Sequence, residues 1–238
     1  MNIGLIGYGK MGREIDAIAQ ERGHSITARL TSQSSPSDWD QLKEADVCIE
    51  FSRPEAAIDN FRHCFENGIP LVTGTTGWYD RFEEVKELCT QKNGAFFWAS
   101  NFSIGVNLFW QVNTQLAQLM AGYPEYNVTL QEIHHTQKLD APSGTAITTA
   151  EQIIDQREEL NGWSLSTEPD DTSKLSIEAI REGDVKGTHT VRYESAIDSI
   201  ELTHAAKNRK GFAIGAVLAA EYLKDKTGVF TMKDLLGA

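Results

Sequence analysis

The order of apolar and polar positions divides the chain into two parts. In the first hundred residues, short apolar runs alternate with amphipathic stretches. Ile3–Ile6, Ser25–Leu30, Val47–Phe51, Leu71–Val72 and Ala95–Trp98 predict strands, the first of them buried. Lys10–Arg22, Glu55–Glu66 and Asp80–Gln91 predict helices between them. In the first helix Met11, Ile15, Ile18 and Ala19 fall on one stripe. This βα repetition predicts a Rossmann-type α/β domain with a doubly wound parallel sheet.

The pattern changes after about residue 102. Val106–Ala121 and Ala146–Arg157 predict helices. Asn127–His134 alternates like a half-buried strand, and Leu175–Arg181, Thr188–Glu194 and Ser199–Thr203 predict three more. Leu160–Ser173 is polar, carries Gly162 and Pro169, and reads as a surface loop. The second part is therefore expected to be an α+β domain with an open mixed sheet. Gly211–Lys224 is small and apolar and predicts a closely packed segment. The pattern divides the chain into 1–102 and 103–210, with 211–238 a final segment that can pack back on the first part.

Composition narrows the partners. A net charge of −12 argues against a nucleic-acid surface, which needs a basic patch. Small anions stay possible, because helix N-termini and a few cations suffice to hold them. No apolar run is long enough for a membrane span, and the first residues lack a signal-peptide pattern, so a cytoplasmic protein is expected. Cys48, Cys64 and Cys89 form no Cys-x-x-Cys pair and are expected to be reduced and chemically silent.

Two motifs carry chemistry. Gly7-Tyr8-Gly9-Lys10-Met11-Gly12 follows a strand and opens a helix, the setting a dinucleotide fingerprint requires. The glycines allow a tight turn, close approach of a pyrophosphate and close helix–strand packing. The acid that usually follows the second strand of an NAD site is missing. Ala28-Arg29-Leu30-Thr31-Ser32 stands there instead, and Arg29 or the hydroxyls favour a 2′-phosphate, so NADPH is expected over NADH. Phe51-Ser52-Arg53, Gly74-Thr75-Thr76-Gly77 and Ala99-Ser100-Asn101-Phe102 follow later strands and fall on the same edge of the sheet.

The second motif is Glu132-Ile-His134-His135-Thr-Gln-Lys138-Leu-Asp140-Ala-Pro142-Ser143-Gly144-Thr145. His134 and His135 are adjacent at a strand end and should diverge, which disfavours joint chelation; no metal is expected. A histidine passes protons near neutral pH, and Lys138 can donate a proton or hold a carboxylate. Pro142-Ser143-Gly144 bends the chain, and Gly144 and Thr145 can present amides to a carboxylate at a helix start. His63 has no such company and reads as a surface residue.

This second motif resembles the signature of the 4-hydroxy-tetrahydrodipicolinate (dihydrodipicolinate) reductase family. Further likenesses are Asn101-Phe102-Ser103-x-Gly105-Val106-Asn107, Arg181-x-Gly183-x-x-x-Gly187-x-His189 and His204-x-Ala206-x-x-Arg209-x-x-Phe212-Ala213-x-Gly215-Ala216. The resemblance implies reduction, by NADPH or NADH, of the cyclic imine derived from hydroxy-tetrahydrodipicolinate, a small dicarboxylate, in the diaminopimelate route to lysine. It implies His134 as proton donor and acceptor and Lys138 as proton donor. His135, Gly144 and Thr145 would hold the substrate. Gly7–Gly12, Gly74–Thr76 and Ala99–Phe102 would hold the nucleotide. It also implies that the chain end returns to the nucleotide domain, so that 1–102 with 211–238 form a dinucleotide-binding domain, and that 103–210 form a substrate-binding and tetramerisation domain whose sheet assembles a homotetramer. Many members carry an extra residue in the first glycine loop and an acid after the second strand; both departures bear on cofactor preference. The competing readings are another two-domain NAD(P)-dependent dehydrogenase, which would not need His-His-x-x-Lys, and a non-catalytic nucleotide sensor.

Overall fold

The computed structural model describes residues 1–166, 171–208 and 210–237. The chain divides into two compact units, Met1–Ile104 with Lys210–Ala238, and Gly105–Arg209.

The first unit begins with β1 (Asn2–Ile6), α1 (Lys10–Glu21), β2 (Ser25–Leu30), α2 (Pro36–Asp40) and β3 (Val47–Glu50). It continues with α3 (Pro54–Glu66), β4 (Leu71–Thr73), α4 (Phe82–Gln91) and β5 (Ala95–Trp98). Helix α2 and the 3₁₀ turn Gln41–Glu44 after it were not foreseen from the pattern; they are short and polar and show no helical stripe. Helix α2 is set instead by a capping box between Ser35 and Asp38 with Pro36 in its first turn.

In the second unit, α5 (Ile104–Met120) is followed by β6 (Asn127–His134), α6 (Gly144–Ile154), β7 (Gly162–Leu165), β8 (Lys174–Arg181), β9 (Thr188–Glu194) and β10 (Ser199–Ala205). Strand β7 corrects the expectation of a plain loop over Leu160–Ser173. It is too short to alternate visibly, and its pairing with β8 makes it a strand. Residues 167–170 of that stretch lie outside the described residues. The chain then re-enters the first unit with α7 (Lys210–Leu223), β11 (Gly228–Phe230) and α8 (Met232–Leu236).

The first sheet has the order β11-β5-β4-β3-β1-β2 and is parallel throughout. One face is covered by α1, α7 and α8 around Ile15, Ala19, Ala216, Val217 and Ala220. The other is covered by α3 and α4 around Phe61, Phe65, Val85 and Cys89. Helix α7 can lie close because Gly215 has no side chain: a Cβ there would stand 1.8 Å from the Phe102 carbonyl oxygen. All three cysteines are buried and unpaired. His63 is half-buried with its ring 4.7 Å from Trp39, which corrects the surface reading.

The second sheet is mixed, in the order β10-β9-β6-β8-β7. Helices α5 and α6 cover one face, with Phe109, Ala117, Ala146 and Ile153 packed on Leu130, Ile177, Val191 and Tyr193. Strict alternation on β6 sends Val128, Leu130, Glu132 and His134 to the buried side. An acid and a histidine thus share a row with core aliphatics. No helix among the described residues is long and apolar enough to cross a membrane.

Candidate active site

In the first unit the glycine loop has the shape a pyrophosphate needs. Gly7 has φ +93°, and a Cβ there would lie 2.1 Å from the Phe51 carbonyl oxygen. At Gly12 it would come within 2.3 Å of the Gly7 carbonyl oxygen, which is the helix–strand contact expected of the third glycine. At Gly9 it would meet nothing within 4 Å, so that glycine borders open space. Gly9 also caps α1 with no side-chain acceptor, so the first-turn amides are not taken by a cap.

The loops after β1, β2, β3 and β4 line two crevices, and Ala99–Phe102, after β5, lines neither. Gly9, Lys10, Met11 and Gly74–Thr76 line one crevice of about 440 Å³. Beside it, a second crevice of about 460 Å³ is lined by Gly7, Tyr8, Thr31, Ser32, Ser34 and Arg53, among others, with no carboxylate among its described lining residues. Arg29 is not among them. Its guanidinium binds the buried Asp16 at 2.6 Å through Nε and 3.2 Å through Nη2, and the Tyr8 hydroxyl donates to the same carboxylate at 2.6 Å. Burial alone would raise the Asp16 pKa, but Arg29, Tyr8 and Gln20 hold it below the usual value. Arg53, at the N-cap of α3, has no ion-pair partner among the described residues. Ala99 and Phe102 are buried, and the Phe102 ring packs 5.7 Å from Phe51 and 5.9 Å from Phe97. The Phe102 side chain is therefore closed to a ligand.

A residue without a role in the sequence reading organises this edge. Glu50, fully buried at the end of β3, accepts from the Ser52 amide at 3.1 Å, the Thr73 hydroxyl at 2.6 Å, Asn60 Nδ2 at 3.3 Å and the Ser52 hydroxyl. The Ser52 amide also donates to Thr75 Oγ1 at 2.8 Å, which ties the loops after β3 and β4 together.

In the second unit the candidate residues surround a second buried carboxylate. Glu132 Oε1 accepts from Arg181 Nη2 at 2.9 Å, and the Ser143 amide lies 3.2 and 3.1 Å from Oε1 and Oε2. His134 Nδ1 is 3.5 Å and His189 Nε2 3.7 Å from Oε2. Strand register makes the cluster: Glu132 pairs with His189 on β9, and His134 with Arg181 on β8. Burial works to raise the Glu132 pKa, but His189, Ser143 and Arg181 outweigh it and hold the group at about 2. Burial lowers His134 to about 4, against the upward pull of Glu132.

Sequence spacing showed no metal ligands near the two histidines. The structure brings three donor atoms, from Glu132, His134 and His189, within 4.8 Å of one another. The Arg181 guanidinium already sits on that carboxylate, and a dication would have to share it with a fixed positive charge. The cluster is therefore read as an acid–base group.

The remaining predicted residues divide as alternation requires. His135 lines a separate hollow of about 320 Å³ with Gly183, Asp184 and Lys186. Lys138 pairs with Asp140 at 2.7 Å, and its charge is felt at His134. Gly144 and Thr145 form the first turn of α6 behind Ser143, whose hydroxyl accepts from the Ala146 amide at 3.2 Å. A Cβ on Gly144 would meet nothing within 4 Å, so this helix start also borders open space. Arg181 donates to the Asp140 carbonyl at 2.6 Å and anchors the loop that carries Lys138. Arg181, His189 and the burial of Glu132 had no assigned role in the sequence reading. An acid in the apolar register of β6 was the available signal.

The dihydrodipicolinate reductase family matches with its N-terminal part over residues 1–102 and its C-terminal part over residues 105–236. The chain is 53% identical to a 4-hydroxy-tetrahydrodipicolinate reductase of Christiangramia forsetii, covering 99% of this chain and 98% of that one. It is 35% identical to one from Lawsonia intracellularis, over 96% of each. Its fold is similar to that of a dipicolinate-bound dihydrodipicolinate reductase from Paenisporosarcina sp. TG-14, with TM-score 0.76, 21% identity and 97% of each chain covered.

Proposed function

The chain belongs to the dihydrodipicolinate reductase family, and from that premise we propose how its residues divide the work of reducing 4-hydroxy-tetrahydrodipicolinate to tetrahydrodipicolinate. It is a reductase of lysine and diaminopimelate biosynthesis that uses a pyridine nucleotide. The reduced nicotinamide supplies hydride when bound. The observation that carries the proposal is the cluster of buried Glu132, His134 and His189 with half-buried Arg181, beside Lys138 and the open start of α6.

Gly7–Gly12, Gly74–Thr76 and the backbone of Ala99–Phe102 hold the nucleotide. Gly9 leaves room for the pyrophosphate against the start of α1. Thr31, Ser32, Ser34 and Arg53 favour a 2′-phosphate, so NADPH is preferred. Arg29 is dropped from that role because Asp16 occupies its guanidinium. Gly144, Thr145, His135 and Lys138 hold the two carboxylates of the substrate. The ring loses its hydroxyl as water, gains hydride at one carbon, and gains a proton at the neighbouring carbon.

Lys138 is the proton donor. His134, held near 4 by burial, is neutral at neutral pH in the free protein, so it donates only after accepting a proton. The open polar face of the second sheet, with Gln131, Glu178, Thr190 and Arg192, is the face through which four copies assemble. The enzyme works in the cytoplasm. A coupled assay, with the upstream synthase forming the substrate in place, tests the reading. Each nucleotide is oxidised only when the synthase is active, with kcat/KM higher for NADPH. Equal or reversed preference removes the 2′-phosphate assignment, and no oxidation removes the whole assignment.

A further inference from the structure

Glu132 lies beneath the candidate proton-transfer residues and is fully buried. Its two oxygens face different elements: Arg181 on β8, the Ser143 amide at the cap of α6, His189 on β9 and His134 on its own strand. Arg181 and the Ser143 amide both donate to the carboxylate and hold its plane. Its orientation toward His134 is therefore fixed by the fold.

The two edges of the His134 ring meet different surroundings. Nδ1 faces Glu132 Oε2 at 3.5 Å and has no hydrogen-bond partner among the described residues. Nε2, on the far edge, stands beside Gly187, where a Cβ would come within 3.0 Å of it. Gly187 also has φ +140°. Only glycine keeps that edge of the ring clear. The edge facing a fixed carboxylate is where a neutral imidazole keeps its proton.

We infer that Glu132 is a positioning residue for His134: its carboxylate keeps the imidazole proton on Nδ1, so Nε2 exchanges protons at the reacting ring. The inference rests on the reductase reading and deepens it. In the free protein Nε2 carries a lone pair and takes a proton first. The resulting imidazolium is balanced by Glu132, while Arg181, Lys138 and His189 face the ring with the opposite influence. Because the same carboxylate accepts the Ser143 amide, it also sets where α6 and its Gly144–Thr145 turn begin. Glu132→Gln keeps one oxygen to accept from Arg181 and the Ser143 amide, and replaces the oxygen facing His134 with an uncharged NH2 donor.

The test is a long-range ¹⁵N–¹H spectrum of the histidine rings in the full-length protein at neutral pH, with His134 assigned by comparison with His134→Gln. Wild type is expected to show the Nδ1–H tautomer. Glu132→Gln is expected to shift His134 toward Nε2–H and lower kcat roughly 10- to 100-fold, with the nucleotide KM within about twofold of wild type. Glu132→Asp is expected to recover part of the rate. An Nε2–H tautomer in wild type overturns the inference, and this result stands even where the Glu132 variants do not fold. So does a Glu132→Gln enzyme with wild-type tautomer and kcat while His134→Gln is slow, and that outcome leaves the reductase reading intact. Wild type that fails to oxidise nucleotide in the coupled assay removes the reductase reading instead.

Discussion

Glu50 and Glu132 are both fully buried carboxylates near the carboxyl ends of central strands, one in each unit. Their partners differ in kind. Glu50 is held by two hydroxyls, an amide and an asparagine, none of which changes charge near neutral pH. Glu132 is held by an arginine and a backbone amide and faces two histidines. The proposed nucleotide site in the first unit is thus shaped by fixed dipoles, and the proposed substrate site in the second unit by charged and titratable groups. A cofactor that enters and leaves unchanged in framework needs a rigid cradle. A ring that must be protonated needs a site whose charge can move.

The largest expected effect lies at the titratable end. Lys138→Ala removes the proposed proton donor and carboxylate ligand, and kcat/KM should fall by the equivalent of about 3–5 kcal/mol of transition-state stabilisation. Steady-state kinetics check this, and a loss under about tenfold would move the donor role elsewhere.

Acid stability probes the Glu132 cluster next. Glu132 sits at about 2 when folded against 4.5 as the ordinary value, so its contribution is complete above pH 4.5 and disappears as pH falls toward 2. By linkage it amounts to something on the order of 3 kcal/mol. His134 is also depressed, to about 4 from 6.5, and a depressed histidine destabilises the fold as pH falls from 6.5 to 4. Urea unfolding across this range should show stability dropping in both windows, and Glu132→Gln should flatten the lower one. An unchanged lower window would mean that Glu132 is not held ionised.

Within the fixed cradle, Gly9→Val should raise the nucleotide KM roughly 10- to 100-fold with little change in Tm, because its Cβ enters open space. Gly12→Val should lower Tm instead, because its Cβ meets the Gly7 carbonyl. The smallest effect is one of preference. Thr31→Glu should shift the NADPH/NADH ratio of kcat/KM about tenfold toward NADH, since an acid accepts ribose hydroxyls and repels a 2′-phosphate. A ratio that stays put would place the phosphate away from the Thr31–Ser34 loop.

The same contrast explains what the sequence made legible. The glycine loop and the Gly74–Thr76 turn are local, so spacing and flanking strands were enough to bring them to one crevice. The proton-transfer motif was legible as far as it runs along the chain, from Glu132 to Thr145. Arg181 and His189 join it only through strand register across β8 and β9, which no local pattern encodes. Strand β7 was hidden for a related reason, since four residues give no alternation to read. Arg29 looked like a phosphate ligand because its salt bridge to Asp16 spans thirteen residues and a helix. The register of β6 did hold a clue, since it puts Glu132 and His134 among core aliphatics, where unpaired polar groups are costly.

The division of labour is tested most directly by His134→Gln, with nucleotide affinity and single-turnover rate measured on the same preparation. A fixed cradle predicts a nucleotide Kd within about twofold of wild type, and a titratable site predicts a hydride-transfer rate lower by about 100-fold or more. A rate within about threefold of wild type, or a nucleotide affinity that collapses together with the rate, would contradict it.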